Sequence, residues 1–281
     1  MKIKFLSILL LLAVINVQAQ IKTPQPSPTS KIEQKVGLTD VTLEYSRPSM
    51  RSRTIFGDLV PFEKKWRTGA NANTKISFSS DVTIDGKNLK EGTYAIYTIP
   101  RKDSWEVIFY SDAENWGLPQ KWDDAKIALK TTVKPSKMSV EIETFTMNFD
   151  NLSDSNSAVL YILWEKTAIE VKINVPTEKI TLASIENVMN GPSANDYYTA
   201  GLYYFTSGKD LNKAKEWVDK AISMKEKPAF WQIRQQSLIY AALGDKKGAL
   251  KAAKKSLELA TVAKNTDYIK MNNESIAKWS K

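Results

Sequence analysis

Three arginines, Arg47, Arg51 and Arg53, fall within seven residues, and Trp66-Arg67 follows in the same aperiodic stretch, 47–74. A guanidinium stays charged, presents its donors in a planar fork, grips carboxylate or phosphate in bidentate fashion, and stacks on aromatic faces. Thr68 to Asn73 adds a tight turn, with Asn71 and Asn73 supplying amides to a polar ligand. A second polar loop, 111–122, carries Trp116 and Trp122 as stacking faces. Arg47, Arg51, Arg53, Trp66, Arg67, Asn71, Asn73 and Trp116 are therefore the expected site for a polar or anionic small molecule or a glycan. The same residues have a structural reading. A long irregular segment must satisfy its own backbone groups, which Arg and Asn side chains do without binding anything, and Trp66 would plug the core. In that case the arginines are paired internally and no pocket opens.

Other chemistries are narrowed by absence. The chain has no His and no Cys, which removes Ser-His-Asp triads, thiolate nucleophiles, and His- or Cys-ligated metals. No alternating Asp/Asn calcium loop and no phosphate-cradling glycine motif occurs, so neither a metal nor a cofactor is expected. The one Ser-x-x-Lys spacing, Ser275 to Lys278, sits in a terminal helical pattern and reads as coincidence. What survives is Tyr or Lys acting as a base, oxygen-ligated cations, and carboxylate chemistry, each a weak signal here. A glycan-directed hydrolase needs two acids about 5–10 Å apart across a cleft. Asp58, Glu63, Asp112 and Glu114 lie near the loops, but as loop charges they are more simply solvated. That alternative requires a close, partly buried acid pair beside Trp66 and Arg67.

The elements that position these residues fall into two classes. After Lys2 and Lys4, an apolar run, Phe5 to Val17, ends in Val17-Gln18-Ala19. This is the pattern of a secretory signal peptide over residues 1–19, so the expected destination is periplasmic or extracellular. No later apolar run is long enough to span a membrane. Residues 20–30 carry three prolines and read as a linker. From Val36 the apolar period becomes two, with a slip near Asp40. Strand-like stretches follow at 75–79, 82–84, 93–100, 105–110, 125–133, 140–149, 158–164 and 168–175, with a hairpin turn at Asp85-Gly86. So many short strands imply an antiparallel β-sandwich, jelly-roll-like, over residues 31–176. At Pro176 the pattern turns helical. Tyr204 and Gly208 recur as Tyr240 and Gly244, 36 residues on, while Ala214 and Ala221 recur as Ala249 and Ser256, 35 residues on. That is close to the tetratricopeptide period of about 34, so 177–281 reads as tetratricopeptide-like helical hairpins. The expected fold class is α+β with segregated domains.

Charge divides along the same line. Residues 31–176 hold 20 Lys+Arg and 20 Asp+Glu, whereas 177–281 hold 17 and 11. The central arginines thus sit in a neutral domain. A nucleic-acid role would need basic residues gathered with stacking aromatics on one surface, and an exported protein rarely meets nucleic acid, so no such partner is expected. Lys247, Lys251, Lys254 and Lys255 fall on one face of a helical stretch, either solvated or facing an acidic partner.

Arg47-Pro48, Arg51 to Gly57, Leu59-Val60-Pro61, Trp66 to Asn71, Asp81 to Pro100, Trp116-Gly117 and Trp164-Glu165-Lys166 together resemble the signature of a secreted bacterial family known as domain of unknown function 2911. One departure is Asp58, where the family's pattern has a second glycine. The resemblance covers roughly residues 31–176. It implies an exported β-rich domain, often followed by helical repeats, and carries no catalytic residue. The combined expectation is a non-enzymatic binding or assembly module, with the repeats taking a protein partner.

Overall fold

A computed structural model of the chain describes residues 23–152, 155–189 and 191–280. The expected signal segment, 1–19, lies outside the described residues. The chain divides into two compact units, Met1–Thr177 and Glu178–Lys281.

The first unit is a sandwich of two antiparallel sheets. Its strands are β1 (Thr29–Val36), β2 (Thr39–Ser46), β3 (Thr74–Phe78), β4 (Val82–Ile84), β5 (Lys87–Leu89), β6 (Gly92–Pro100), β7 (Trp105–Tyr110), β8 (Ile127–Val133), β9 (Ser136–Asp150) and β10 (Ser157–Asn174). One sheet has the order β1-β2-β3-β6-β7-β8 and the other β5-β4-β10-β9. Alternation decides which side chains meet between them. Val41, Leu43, Tyr45, Ile76 and Ile96 of the larger sheet share one core with Ile84, Phe145, Met147, Leu160, Trp164 and Val171 of the smaller. β6 and β7 are apolar on both faces because their outer face is covered too. Ala95, Tyr97, Ile108 and Tyr110 pack there with Ala113 and Trp122 of the 111–126 loop.

Two sequence expectations are corrected here. The slip near Asp40 is a hairpin turn: Gly37 has φ +55° and β1 pairs with β2 from Val36↔Thr39 to Thr29↔Ser46. The strands read separately at 158–164 and 168–175 are one, β10. Its apparent turn is a bulge, with Glu165 at φ +54° and register shifts on either side of it. β1 also reaches back into the proline-rich stretch read as a linker.

Residues 47–73 connect β2 to β3 by a detour along β9, an edge of the smaller sheet, and along the part of β6 that runs past β3. The loop pairs with the edge strand β9, Met50 N–H donating to Glu143 carbonyl (2.8 Å) and Phe145 N–H to Pro48 carbonyl (2.8 Å). The chain then returns to β6, where Trp66 and Thr98 donate to each other's carbonyls (2.8 and 3.0 Å) just past the end of β3. Ile55 and Val60 are buried and pin the excursion between these two strands. The path includes five non-glycine residues at positive φ, namely Arg51, Ser52, Glu63, Thr68 and Asn71. Thr68 is the costly one, because β-branched residues rarely adopt that region. Its buried hydroxyl donates to Thr98 Oγ1 (3.1 Å), and its carbonyl accepts from Thr74 Oγ1 (2.5 Å).

The second unit holds α1 (Thr177–Val188, whose first residue belongs to the sandwich unit), α2 (Ala194–Thr206), α3 (Leu211–Ser223), α4 (Phe230–Ala242), α5 (Lys246–Val262) and α6 (Thr266–Trp279). The hairpins α2/α3 and α4/α5 use the same devices. Gly208 and Gly244 turn at φ +64° and +80°, and Asp210 and Asp245 cap the second helix of each. Ala214 and Ala249 are buried, as are the next equivalent pair, Ala221 and Ser256. At Gly201 a Cβ would stand 2.8 Å from Val218, so α2 and α3 approach closely. The equivalent Ser237 is buried with its hydroxyl bonded to its own helix at Arg234 carbonyl (2.6 Å).

Candidate functional site

The loop 47–73 closes over a cavity of about 520 Å³ on the sandwich unit, a size that suits a small molecule. Of the eight residues singled out from sequence, Arg51, Arg53, Trp66, Arg67, Asn71 and Trp116 line it. Arg47 and Asn73 do not. Arg47 donates from Nε to Phe145 carbonyl (3.1 Å) and from Nη2 to Thr146 Oγ1 (2.8 Å), fastening the loop to β9. Asn73 is buried, with Nδ2 donating to Ala113 carbonyl (3.2 Å), and so ties this loop to the 111–126 loop. Its Oδ1 has no hydrogen-bond partner.

The floor is aromatic. Trp66 stacks on Trp164 (5.9 Å between centroids, 18° between planes) and meets Phe145, Phe56 and Trp105 edge-on. Its Nε1 donates to Gly69 carbonyl (3.2 Å). Trp66 is thus a structural part of the core that also shows a face to the cavity. Trp105 and Trp164 are buried, as strand tryptophans should be. Trp116 is the opposite case, 76 % exposed at the mouth. Trp122 turns inward onto Tyr97 and Tyr110, with Lys65 Nζ 4.7 Å from its ring centre, so it supplies no stacking face to the cavity.

The three lining arginines are held by neutral acceptors. Arg51 Nη2 donates to Pro26 carbonyl (3.3 Å), Arg53 to the carbonyls of Met50 and Ser49 (2.8 Å each), and Arg67 Nη1 to Asn71 carbonyl (2.7 Å). Among the described residues the only arginine in an ion pair is Arg101, with Glu106. Carbonyls orient a guanidinium without cancelling its charge, so the cavity wall stays cationic. Gly117 lies flat against Arg67. A Cβ there would sit 2.7 Å from Nη1 and 2.9 Å from Cζ, and its φ is +77°. Tyr97 donates to the Gly117 carbonyl (3.0 Å) and fixes this contact from below. Burial, aided by Tyr110 and Asp112, pushes the Tyr97 hydroxyl up to about 12, with Arg67 opposing.

No carboxylate is among the residues that line the cavity. Asp58 and Glu63 are exposed. Asp112 pairs with Lys126 (2.6 Å) and Glu114 with Lys75 (3.0 Å). Glu143, outside the lining, accepts from the Arg51 backbone N–H (2.9 Å). Among the described residues no group of His, Cys, Asp and Glu could hold a metal ion, and no helix is long and apolar enough to cross a membrane.

Sequence reasoning missed one wall. Pro26 and Ser27 line the cavity, with Asn71 Nδ2 donating to Ser27 carbonyl (3.1 Å) and Arg47 N–H to Pro28 carbonyl (2.9 Å). A proline-rich run carries no signal for such docking.

Residues 27–173 match the family described as Protein of unknown function (DUF2911). That is more than half of the chain. The chain belongs to the DUF2911 family. All eight residues chosen from sequence fall within the DUF2911 stretch, as does every lining residue except Pro26. No curated protein and no solved structure matches the chain.

Proposed function

We propose that this DUF2911 protein is an exported, non-enzymatic binding module of the bacterial envelope, taking an anionic ligand in the sandwich cavity and a protein partner on its helical hairpins. The observation that carries the reading is the composition of the cavity wall: three arginines whose guanidinium groups are bonded only to neutral carbonyls, an aromatic floor, an exposed tryptophan at the mouth, and no lining acid. A ligand bearing a carboxylate or phosphate would meet unneutralised, pre-oriented guanidinium groups, and one with a flat or sugar-like face would rest on Trp116. The lack of any lining acid weighs against carboxylate-driven hydrolysis. Export is inferred from the signal-like residues 1–19. The protein-partner role rests on the repeat offsets and the two alike hairpins, which we read as tetratricopeptide-like, since such stacks bind polypeptide.

The test is a thermal-shift screen of uronic acids, neutral sugars, dicarboxylates and phosphates against wild type, Arg53→Ala and Trp116→Ala. A ligand at a hundredfold its Kd stabilises by roughly 2.7 kcal/mol. The expected result is a shift with anions that falls in both variants. Equal shifts in wild type and Arg53→Ala, or a preference for neutral sugars, would reject the anion site.

A further inference from the structure

Within the helical unit a second cavity, of about 630 Å³, opens between the end of α3, α4 and α5. Its walls are Ile222, Pro228, Ile233, Ala252 and Leu259. Lys251 and Lys255, one helical turn apart, stand beside them on α5. The lysine-rich face read from sequence is thus divided. Lys251 and Lys255 border the cavity, whereas Lys247 and Lys254 do not. Lys255 pairs with Glu258 (3.0 Å), and Lys251 makes no ion pair among the described residues. Glu226 is the only acid in the lining, and Lys227 follows it.

We infer that this cavity is a binding site for a single-chain aliphatic carboxylate, its alkyl chain between the apolar walls and its head at Lys251 and Lys255. The polar atoms in the cavity decide for a chain over a peptide. Tyr240 Oη and Gln236 Nε2 both donate to Asp219 Oδ1 (2.8 and 2.7 Å), and Lys215 holds the other oxygen (2.8 Å). These donors are engaged. A peptide backbone would bring N–H and C=O groups to walls that offer little in return, at a desolvation cost, whereas an alkyl chain brings none. The excess of cations in the lining selects an anionic head over a neutral or cationic one. The site is separate from the sandwich cavity, so the inference stands or falls independently of the function proposed above.

The experiment is calorimetric titration of the purified chain with octanoate, decanoate and dodecanoate below their micellar concentrations, alongside decanol and decyltrimethylammonium. Affinity should rise about fourfold per methylene, and decanoate should bind more tightly than decanol or the cation. The exposed pair Lys251→Glu, Lys255→Glu should weaken decanoate about tenfold with the fold retained by circular dichroism, and Arg53→Ala should leave it unaffected. Absence of binding at millimolar decanoate would overturn the inference, as would affinity independent of chain length or binding that survives the double charge reversal. Tighter binding to anionic phosphatidylglycerol vesicles than to the free acid would also overturn it, since the occupant would then be a membrane surface.

Discussion

Replacing Trp66 by Ala tests whether the cavity floor is part of the fold. The indole contacts four other rings: Phe145 at 5.3 Å, Trp164 at 5.9 Å, Phe56 at 6.1 Å and Trp105 at 6.4 Å. Each such pair is worth about 0.5–1.5 kcal/mol beyond the apolar area it buries. Loss of a Trp from a core costs about 3–5 kcal/mol. Trp66 is half-buried and its backbone bridge to Thr98 survives the change, which places the expected loss near the lower end, about 3 kcal/mol. Trp66→Phe keeps a ring but removes the N–H that bonds Gly69 carbonyl, at a cost of about 1–2 kcal/mol. Trp116→Ala, at an exposed position, should stay within about 0.5 kcal/mol of wild type. Urea unfolding followed by near-ultraviolet circular dichroism, which reports the packed tryptophans, measures all three. If Trp66→Ala lies within about 1 kcal/mol of wild type, or Trp116→Ala costs as much as Trp66→Ala, the division between structural and free tryptophan is mistaken.

Gly117→Ala should destabilise by about 1–2 kcal/mol through its positive φ and also displace Arg67. A double-mutant cycle with Arg67→Ala separates the two costs, and strict additivity would mean that Arg67 is not displaced. Gly37→Ala should be more severe and is read by the same unfolding assay, because its Cβ would sit 2.0 Å from Thr177 Oγ1 and 2.2 Å from Ser155 carbonyl, at φ +55°. Tyr97 ionises from about 10 in the unfolded chain but is pushed up to about 12 when folded. The folded state therefore keeps its proton while the unfolded state loses it, so stability contributed below pH 10 is lost between pH 10 and 12. Tyr97→Phe should flatten that limb of the pH–stability curve, and an unchanged limb would contradict the assignment.

The elements legible from sequence were those whose turns announce themselves. Asp85-Gly86 takes positive φ at both residues and joins β4 to β5, and the apolar runs of β6 and β7 follow from burial on both faces. The β1–β2 turn was hidden because a slip in a strand and a two-residue turn disturb the alternation alike. Only Gly37 pointed to the turn. β10 misled in the other direction: Glu165-Lys166-Thr167 breaks the period, yet it holds neither Gly nor Asn, and the chain bulges instead of reversing. The site was legible by residue type and illegible by direction. Whether an arginine faces the cavity depends on acceptors about a hundred residues away, such as Phe145 and Thr146 for Arg47, and no local pattern encodes them.

The docked segment at Pro26 and Ser27 has a practical consequence. A truncation beginning at Thr29 would keep all ten strands of the sandwich and unfold cooperatively, yet it would lack one side of the cavity and the acceptor for Arg51. An affinity tag joined directly to Pro26 would begin beside the cavity. The shortest chain that folds and the shortest chain that binds are therefore different lengths, and a recombinant boundary chosen from the strands alone would return a well-behaved protein with an incomplete site.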